Sequence, residues 1–448
     1  MKLLRMIFGG SELKGLTGDA IFSLLIKVLA MLLSFSVIVL INRVASVAEF
    51  GAYMYALSII SLLRIVSVFG GERWLVREVA TSVDEPNSSN GYHLKNGVLV
   101  VSMSASIIIA VGLYVAIEFA PWLFNDDALK VVKLSLLLLP LVTLVTVYQA
   151  YIRGLHRAVV AQIPDAIIRP ILMVSGLLML GFLTTITLSA TELMSLQITS
   201  TLLVFVILTW VSLSIAKKFT HSNVSTEKFA YSEFLRAGVT LVFIAVVIRG
   251  SSFVINIMLG NLGTVTDVAL FSVSKRVSDL VTFMQAAIVM PLAPMIAKKF
   301  KKSKQQELMK LAVAASWGGL IFALPVSVVL IVFPELILSV FGNDYSAAVN
   351  VLQIMVITQL ITVSLGPVTI WLTMTKNEGA AIKAAVLGFV TLITVAYILI
   401  PEYGAVGGAL SFSSGLLVTQ LVMLAYVATR VKIDSSIFGL RYLFSQRK

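Results

Sequence analysis

The sequence predicts an all-α polytopic membrane protein, and its composition and hydropathy pattern carry that prediction. Of 448 residues, 58% are hydrophobic and 12% are charged, whereas soluble domains contain roughly 25% charged residues. The apolar residues form long uninterrupted blocks, and the mean hydropathy of the chain is +0.99. Because these blocks lack the period-two alternation of outer-membrane strands, we expect every span to be a helix.

Composition also excludes several kinds of site. The chain contains no cysteine, which excludes disulfides and thiolate metal sites, and its three histidines all fall in predicted loops. The segments between the apolar blocks are too short for a catalytic or nucleotide-binding domain. We therefore expect no enzymatic activity and no cofactor. The net charge of +12 is interpreted as the positive-inside bias of a membrane protein, not as a nucleic-acid surface.

Twelve blocks are long enough to cross a bilayer, which requires about 20 apolar residues. They are residues 19–41, 47–70, 97–119, 128–151, 160–183, 190–215, 237–259, 266–296, 310–333, 345–372, 380–400 and 404–428. If the N-terminus is cytoplasmic, the terminal segments and every second connection lie inside, and together they hold 23 of the 34 Lys and Arg residues. This asymmetry predicts that both termini are cytoplasmic. The start of the chain is basic and leads into a full-length span, so no cleavable signal peptide is expected.

The two halves of the chain resemble each other at an offset of about 218 residues. Residues 49–53 align with 267–271, and Asn125-Asp126 aligns with Asn343-Asp344. This predicts a parallel repeat of two six-helix lobes. Such an arrangement allows the two lobes to rock around a substrate site near the middle of the membrane. The expected divisions are an N-terminal lobe at 1–216, a cytoplasmic linker at 217–236 and a C-terminal lobe at 237–448. The Gly70-Gly71 pair is expected at a close helix contact.

Arg249 is the charge that most needs an explanation. It lies about 12 residues from either edge of its predicted span, or roughly 18 Å deep at ~1.5 Å per residue. The neighbouring residues of that span include no acid. Either Arg249 faces a wet cavity or an anionic ligand, or it pairs across helices with Asp279.

Other charges within spans have more local explanations. Asp165 and Arg169 are spaced i,i+4 and are expected to form a structural ion pair near a kink. Asp279 can pair with Lys275 or Arg276 but cannot neutralise both. Asp165, Arg169 and Asp279 are therefore assigned structural or coupling roles. Lys383, close to an inner edge, is expected to snorkel.

The repeat relates the remaining cations to one another. Arg249 aligns with Met31, one helical turn from Lys27. We therefore expect spans one and seven to present cations at similar depth in a wet cleft. Snorkelling and a cleft-facing role both remain open for Arg64 and Lys27. A cationic cleft fits a diphosphate. The predicted substrate-binding residues are Lys27, Arg64, Arg249, Lys275 and Arg276.

Several short motifs resemble those of the polysaccharide-biosynthesis transporters of the O-antigen flippase (Wzx) type, within the MOP exporter superfamily. They are Phe50-Gly51-Ala52-Tyr53 with Ala56, Arg77-Glu78-Val79-Ala80, Gln149 with Arg153-Gly154-Leu155-His156-Arg157, and residues 268–274. The similarity in span order covers nearly the whole chain. The resemblance implies a MOP/MATE-like fold in the bacterial inner membrane, a cationic lumen, and transfer of an undecaprenyl-diphosphate-linked oligosaccharide to the periplasmic leaflet.

Two relatives of this fold remain as alternatives. A MATE-like multidrug antiporter coupled to H⁺ or Na⁺ would need carboxylates in its lobes, and acids within the predicted spans are few and lie beside bases. A lipid II flippase usually has fourteen spans, against the twelve predicted. The expected partners are the polyprenyl-diphosphate-linked glycan, membrane lipid and other polysaccharide-assembly proteins. Whether H⁺ or Na⁺ coupling drives transport stays open.

Overall fold

The computed structural model describes residues 18–84, 91–183, 187–216, 229, 231–302 and 305–439. Regular secondary structure in these residues is helical. Most of the predicted linker 217–236, both chain ends and Lys304 of the basic run lie outside the described residues.

The described residues up to Leu262 contain eleven α-helices. They are α1 (Gly18–Val44), α2 (Val47–Ser67), α3 (Gly71–Asp84), α4 (Tyr92–Phe119), α5 (Leu129–Ser135), α6 (Leu138–Gly154), α7 (Ala158–Ile163), α8 (Arg169–Leu183), α9 (Ala190–Ala216), α10 (Tyr231–Arg249) and α11 (Ser251–Leu262). A π-helical turn, Pro164–Ile168, joins α7 to α8.

Six further α-helices follow. They are α12 (Val265–Lys301), α13 (Gln305–Val332), α14 (Pro334–Ser339), α15 (Val349–Leu365), α16 (Val368–Met374) and α17 (Glu378–Tyr426). The last is two helices in one, because Gly404 has non-helical angles of φ 50° and ψ −126°. This break falls at the first residue of predicted span twelve.

Eight helices in the described residues are long and apolar enough to cross a membrane. The number rises to ten if two bent pairs each count as one span: Asp126–Ser135 with α6, bent by 48°, and Phe234–Arg249 with α11, bent by 68°. Each of the twelve predicted blocks coincides with helix. The chain is thus an all-helical, multi-pass membrane protein, while the count of twelve spans stays a prediction.

The chain forms two compact units, Phe22–Ala269 and Leu270–Lys448, the latter together with Met1–Ile21. The segment α10–α11 belongs to the first unit because it packs along α2. Tyr55 on α2 hydrogen-bonds Asn261 at 2.5 Å, and Asn256 on α11 donates to the Ser58 hydroxyl at 2.8 Å. The predicted lobe division at 216–237 stays a prediction, and it falls before the segment that these bonds attach to α2.

An aromatic cluster fixes the start of α10 against α3. Phe234 is fully buried, and its ring lies edge-on to that of Trp74 on α3, with ring centroids 5.2 Å apart. Phe229 also packs edge-on to Trp74 at 5.5 Å. Edge-to-face aromatic pairs add about 0.5–1.5 kcal/mol beyond the burial of their area. The first turns of α10 are therefore held beside α3, and this arrangement positions the site described next.

Candidate functional site

Arg249 is the last residue of α10, where the helix breaks at Gly250. A Cβ atom at Gly250 would lie 2.3 Å from the Val246 carbonyl oxygen and 3.2 Å from Leu62 Cδ1 on α2. A side chain does not fit there, so glycine permits both the break and the close approach to α2. The Arg249 side chain is 50% exposed.

Glu72 lies in the first turn of α3, directly after a turn that separates α3 from α2. Phe69 and Gly70 in this turn both adopt left-handed backbone angles, with φ of 53° and 70°. A Cβ on Gly70 would lie 2.5 Å from the Leu241 Cβ on α10. The pair Gly70-Gly71 is thus a close helix contact, as predicted. Directly after this turn, the Glu72 carboxylate lies beside α10 and α6.

Two arginines from different helices pair with the Glu72 carboxylate. Arg249 Nη1 donates to Glu72 Oε2 at 3.1 Å, and Arg153 Nη1 at the end of α6 donates to Glu72 Oε1 at 3.2 Å. The Glu72 side chain is 22% exposed. One carboxylate therefore joins α3, α6 and α10, with one oxygen for each guanidinium.

Arg64 on α2 completes a set that we call the arginine cluster: Arg64, Arg153 and Arg249 around Glu72. Arg64 Nη1 donates to the Thr146 hydroxyl on α6 at 3.2 Å. Next to this contact, the Ser67 and Thr143 hydroxyls are 2.9 Å apart and join α2 to α6 a second time. These bonds fix the position of the Arg64 side chain, which lines the same recess as Glu72 and Arg249.

The recess is a small cavity of about 40 Å³. Its polar lining consists of Arg64, Glu72, Arg73, Thr146 and Arg249, and the other lining residues are apolar or glycine. A water molecule needs at least roughly 10–15 Å³, so the cavity has room for about three.

The charge of the arginine cluster is unbalanced. Burial by itself would raise the pKa of Glu72, but the guanidinium groups of Arg249, Arg153 and Arg64 together lower it below the usual value. Glu72 is therefore ionised at neutral pH. Three guanidinium groups and one carboxylate leave a net charge of +2 in the cluster, which favours the binding of a further anion.

The depth of Arg249 in the membrane stays a prediction. Arg249 ends the segment Phe234–Arg249, and Ser251–Leu262 continues from it with a bend of 68°.

The acid partner of Arg249 also differs from the one considered from the sequence. Arg249 pairs with Glu72, whereas Asp279 on α12 pairs with Lys275, four residues earlier. Asp165 and Arg169 form an ion pair at 2.5 Å across the π-helical turn. Both i,i+4 contacts occur where helical spacing predicts them.

The other predicted binding residues do not line this cavity. Lys27 is exposed on α1, and Lys275 and Arg276 are partly buried on α12 in the second unit. Lys275 also lies over the Phe412 ring at 5.3 Å. The structure brings together Arg64 and Arg249 among the five, and the binding roles of all five stay predictions.

Sequence reasoning missed Glu72 and Arg153, because both were assigned to cytoplasmic segments outside the spans. Two signals pointed to them. Glu72 directly follows the Gly70-Gly71 pair, and Arg153 opens one of the motifs that carried the family resemblance. Among the described residues, no group of three His, Asp or Glu side chains is placed to hold a metal ion.

Comparison with protein families gives two matches. The family described as "Polysaccharide biosynthesis protein" matches residues 16–300, and the family described as MatE matches residues 240–398. Comparison with curated protein sequences gives no match. The first family match spans more than half of the chain and contains every member of the arginine cluster.

Solved structures with the same fold cover almost the entire chain. "Lipid II flippase MurJ, inward closed conformation" is 16% identical with a TM-score of 0.72, over 95% of this chain and 92% of that one. An inward-facing MATE-family multidrug resistance transporter of the MOP superfamily is 14% identical with a TM-score of 0.70, over 92% and 98%. A MOP superfamily transporter from Pyrococcus furiosus, whose description notes a reversed polarity of its binding pocket, is 13% identical with a TM-score of 0.63, over 96% and 98%.

Proposed function

Because the chain belongs to the polysaccharide biosynthesis protein family and has the fold of MOP-superfamily transporters, we propose that it is a flippase for a lipid-linked glycan. The substrate is an undecaprenyl-diphosphate-linked oligosaccharide, such as an O-antigen or other surface-polysaccharide repeat unit. It moves from the cytoplasmic to the periplasmic leaflet of the bacterial inner membrane by alternating access, with both termini of the protein in the cytoplasm. The chain itself performs no covalent chemistry in this proposal.

The arginine cluster is the observation that carries the proposal. Arg64, Arg153 and Arg249 converge from three helices, and Arg64 and Arg249 line a cavity whose one acid is Glu72. Guanidinium groups bind phosphate through paired N–H donors in a planar fork. A diphosphate carries negatively charged oxygens on two phosphorus atoms and complements several arginines at once. The glycan and the polyprenyl chain then extend away from this anchor.

A MATE-like drug antiporter is the second candidate, and the match to the MatE family over residues 240–398 favours it. The charge of the cavity opposes it, because a net charge of +2 repels the cationic compounds that such an antiporter would export. A lipid II flippase would share the diphosphate and differ in the sugar. The glycan therefore has to be identified by transport itself.

The proposal is tested by binding and export measured on the same variants. The purified protein should bind undecaprenyl diphosphate, and Arg249→Ala and Arg64→Ala should each weaken binding at least tenfold, the effect of about 1.4 kcal/mol. In cells whose own flippase gene has been deleted, Arg249→Ala should abolish export of the glycan, while Arg249→Lys should retain part of it because the charge remains.

Lys383→Ala is the matched control, because Lys383 is an exposed cation on α17 outside the cavity. Export by this variant should equal that of the unchanged protein. If cationic dyes are exported and undecaprenyl diphosphate does not bind, the antiporter replaces the flippase as the function. Full export by Arg249→Ala would remove the arginine cluster from the mechanism.

A further inference from the structure

Glu72 occupies the arginine cluster in the way that a phosphate group would. Its two carboxylate oxygens are divided between two guanidinium groups, Oε1 to Arg153 at 3.2 Å and Oε2 to Arg249 at 3.1 Å. A phosphate group likewise presents two or more unesterified oxygens that share a negative charge. The two guanidinium groups thus present the donors that a phosphate group also requires.

We propose that Glu72 is a tethered competitor for the anion site, which substrate must displace from Arg249 and Arg153 in order to bind. This inference rests on the proposed function, since it assigns a role to Glu72 at the same site. Displacement has a mechanical consequence, because the Glu72–Arg249 pair ties α3 to α10. Substrate that takes over Arg249 releases this contact at the end of α10, while the Phe234–Trp74 contact still holds the start of α10 beside α3. The contact re-forms when substrate leaves.

The position of the Glu72 carboxylate supports competition over joint occupancy. Its two oxygens lie between the two guanidinium groups, 3.1 Å from Arg249 Nη1 and 3.2 Å from Arg153 Nη1. A phosphate group that reaches both Arg249 and Arg153 must take the space now held by the Glu72 carboxylate.

Competition with Glu72 excludes singly charged membrane phospholipids from the site. A phosphodiester headgroup such as that of phosphatidylglycerol carries one negative charge, so exchanging it for Glu72 replaces one singly charged group by another. A diphosphate carries at least two charges and can also engage Arg64, which binds Thr146 in the same cavity. Glu72 thereby keeps abundant singly charged lipids out of the site while the doubly charged substrate still enters.

The decisive variant is Glu72→Gln, which keeps the shape of the side chain and removes its charge. Loss of a competitor tightens binding, so the Kd of the purified variant for undecaprenyl diphosphate should fall by roughly fivefold to a hundredfold, the usual range for coupled binding events. Glu78→Gln is the matched control. Glu78 lies on the same helix and pairs with the exposed Arg77, so its removal should leave the Kd unchanged.

Flipping of phosphatidylglycerol is the second measurement. It distinguishes a phospholipid headgroup from the diphosphate of the substrate as the anion that enters the site. Proteoliposomes containing a fluorescent phosphatidylglycerol should show little flipping with the unchanged protein and several times more with Glu72→Gln. If Glu72→Gln proves unstable, Glu72→Ala is measured in the same two assays together with Glu72→Asp, which keeps the charge and should remain close to the unchanged protein.

Three results would overturn the inference. A Kd that rises in Glu72→Gln means that Glu72 supports substrate binding, and an unchanged Kd means that it does not compete. If phosphatidylglycerol is flipped equally by the unchanged protein and by Glu72→Gln, Glu72 does not exclude singly charged lipids. Each of these results leaves the proposed function intact, provided that the unchanged protein binds undecaprenyl diphosphate. If the unchanged protein does not bind it, the proposed function fails along with the inference.

Discussion

Replacing Arg249 by alanine should abolish transport at little expense in stability, because the structure gives Glu72 a second partner. The attraction between Glu72 and Arg249, with charge centres about 4 Å apart, is about 4 kcal/mol at an effective dielectric constant of 20. Half of the Arg249 side chain is exposed, so solvent screening and lost side-chain freedom offset most of this; exposed pairs contribute roughly 0.2–1 kcal/mol. Arg153 still neutralises Glu72 in the variant. We expect a loss of about 1 kcal/mol in the free energy of unfolding.

The assay is denaturant unfolding in mixed micelles, paired with glycan export in cells. Arg249→Ala should unfold near the unchanged protein and export nothing. Arg77→Ala, which breaks the exposed pair with Glu78 on α3, is the control for loss of a surface ion pair. A stability loss of 3–5 kcal/mol, as expected when a buried partner is left uncompensated, would refute this reasoning, and so would normal export. Adding Asp279→Ala should restore nothing, since Asp279 already pairs with Lys275.

Three further predictions concern topology, access and pH. A reporter fused after Lys301 should be cytoplasmic and one near Asp126 periplasmic; a periplasmic signal at Lys301 would contradict the twelve-span arrangement. Cysteine placed at position 249 or in place of Lys27 should react with small water-soluble thiol reagents, and full protection of both positions in a folded protein would exclude a wet cleft. The pKa of Glu72 lies below its usual value, so its pairs stabilise the fold above the unfolded-state pKa of about 4.3 and are lost as pH falls through the lower folded-state pKa. The stability difference between Glu72→Gln and the unchanged protein should therefore be constant between about pH 6 and pH 8 and shrink only in acid, as thermal denaturation would show.

Much of the fold could be predicted because the relevant physics is local to each segment. A block of about 20 apolar residues becomes a helix in lipid, since every backbone polar group must be satisfied within the segment. Ser46 begins α2 by capping the Glu49 N–H at 3.3 Å, a pattern visible in the sequence Ser-Val-Ala-Glu. The Asp165–Arg169 and Lys275–Asp279 pairs follow from helical spacing alone.

The site could be predicted only in part, because its parts are distant in the sequence. The sequence identified Arg249 and Arg64 as charges in need of an explanation, since cations within apolar blocks are costly. It did not identify the acid that pairs with Arg249. Glu72 and Arg249 are 177 residues apart, and Glu72 was assigned to a segment outside the predicted spans, whereas Arg249 was assigned to a span. Their pairing depends on the left-handed turn at Phe69 and Gly70 and on the burial of Phe234 against Trp74.

The sequence by itself therefore determined that this chain consists of membrane helices with an excess of positive charge within the predicted spans. Transfer of apolar residues into lipid and the insertion penalty of a charge are properties of single segments, and they can be calculated before any helix has neighbours. Only the tertiary structure decided which arginines meet and which carboxylate they share. A salt bridge depends on a few ångströms between side chains, and that distance is set by how α3, α6 and α10 pack.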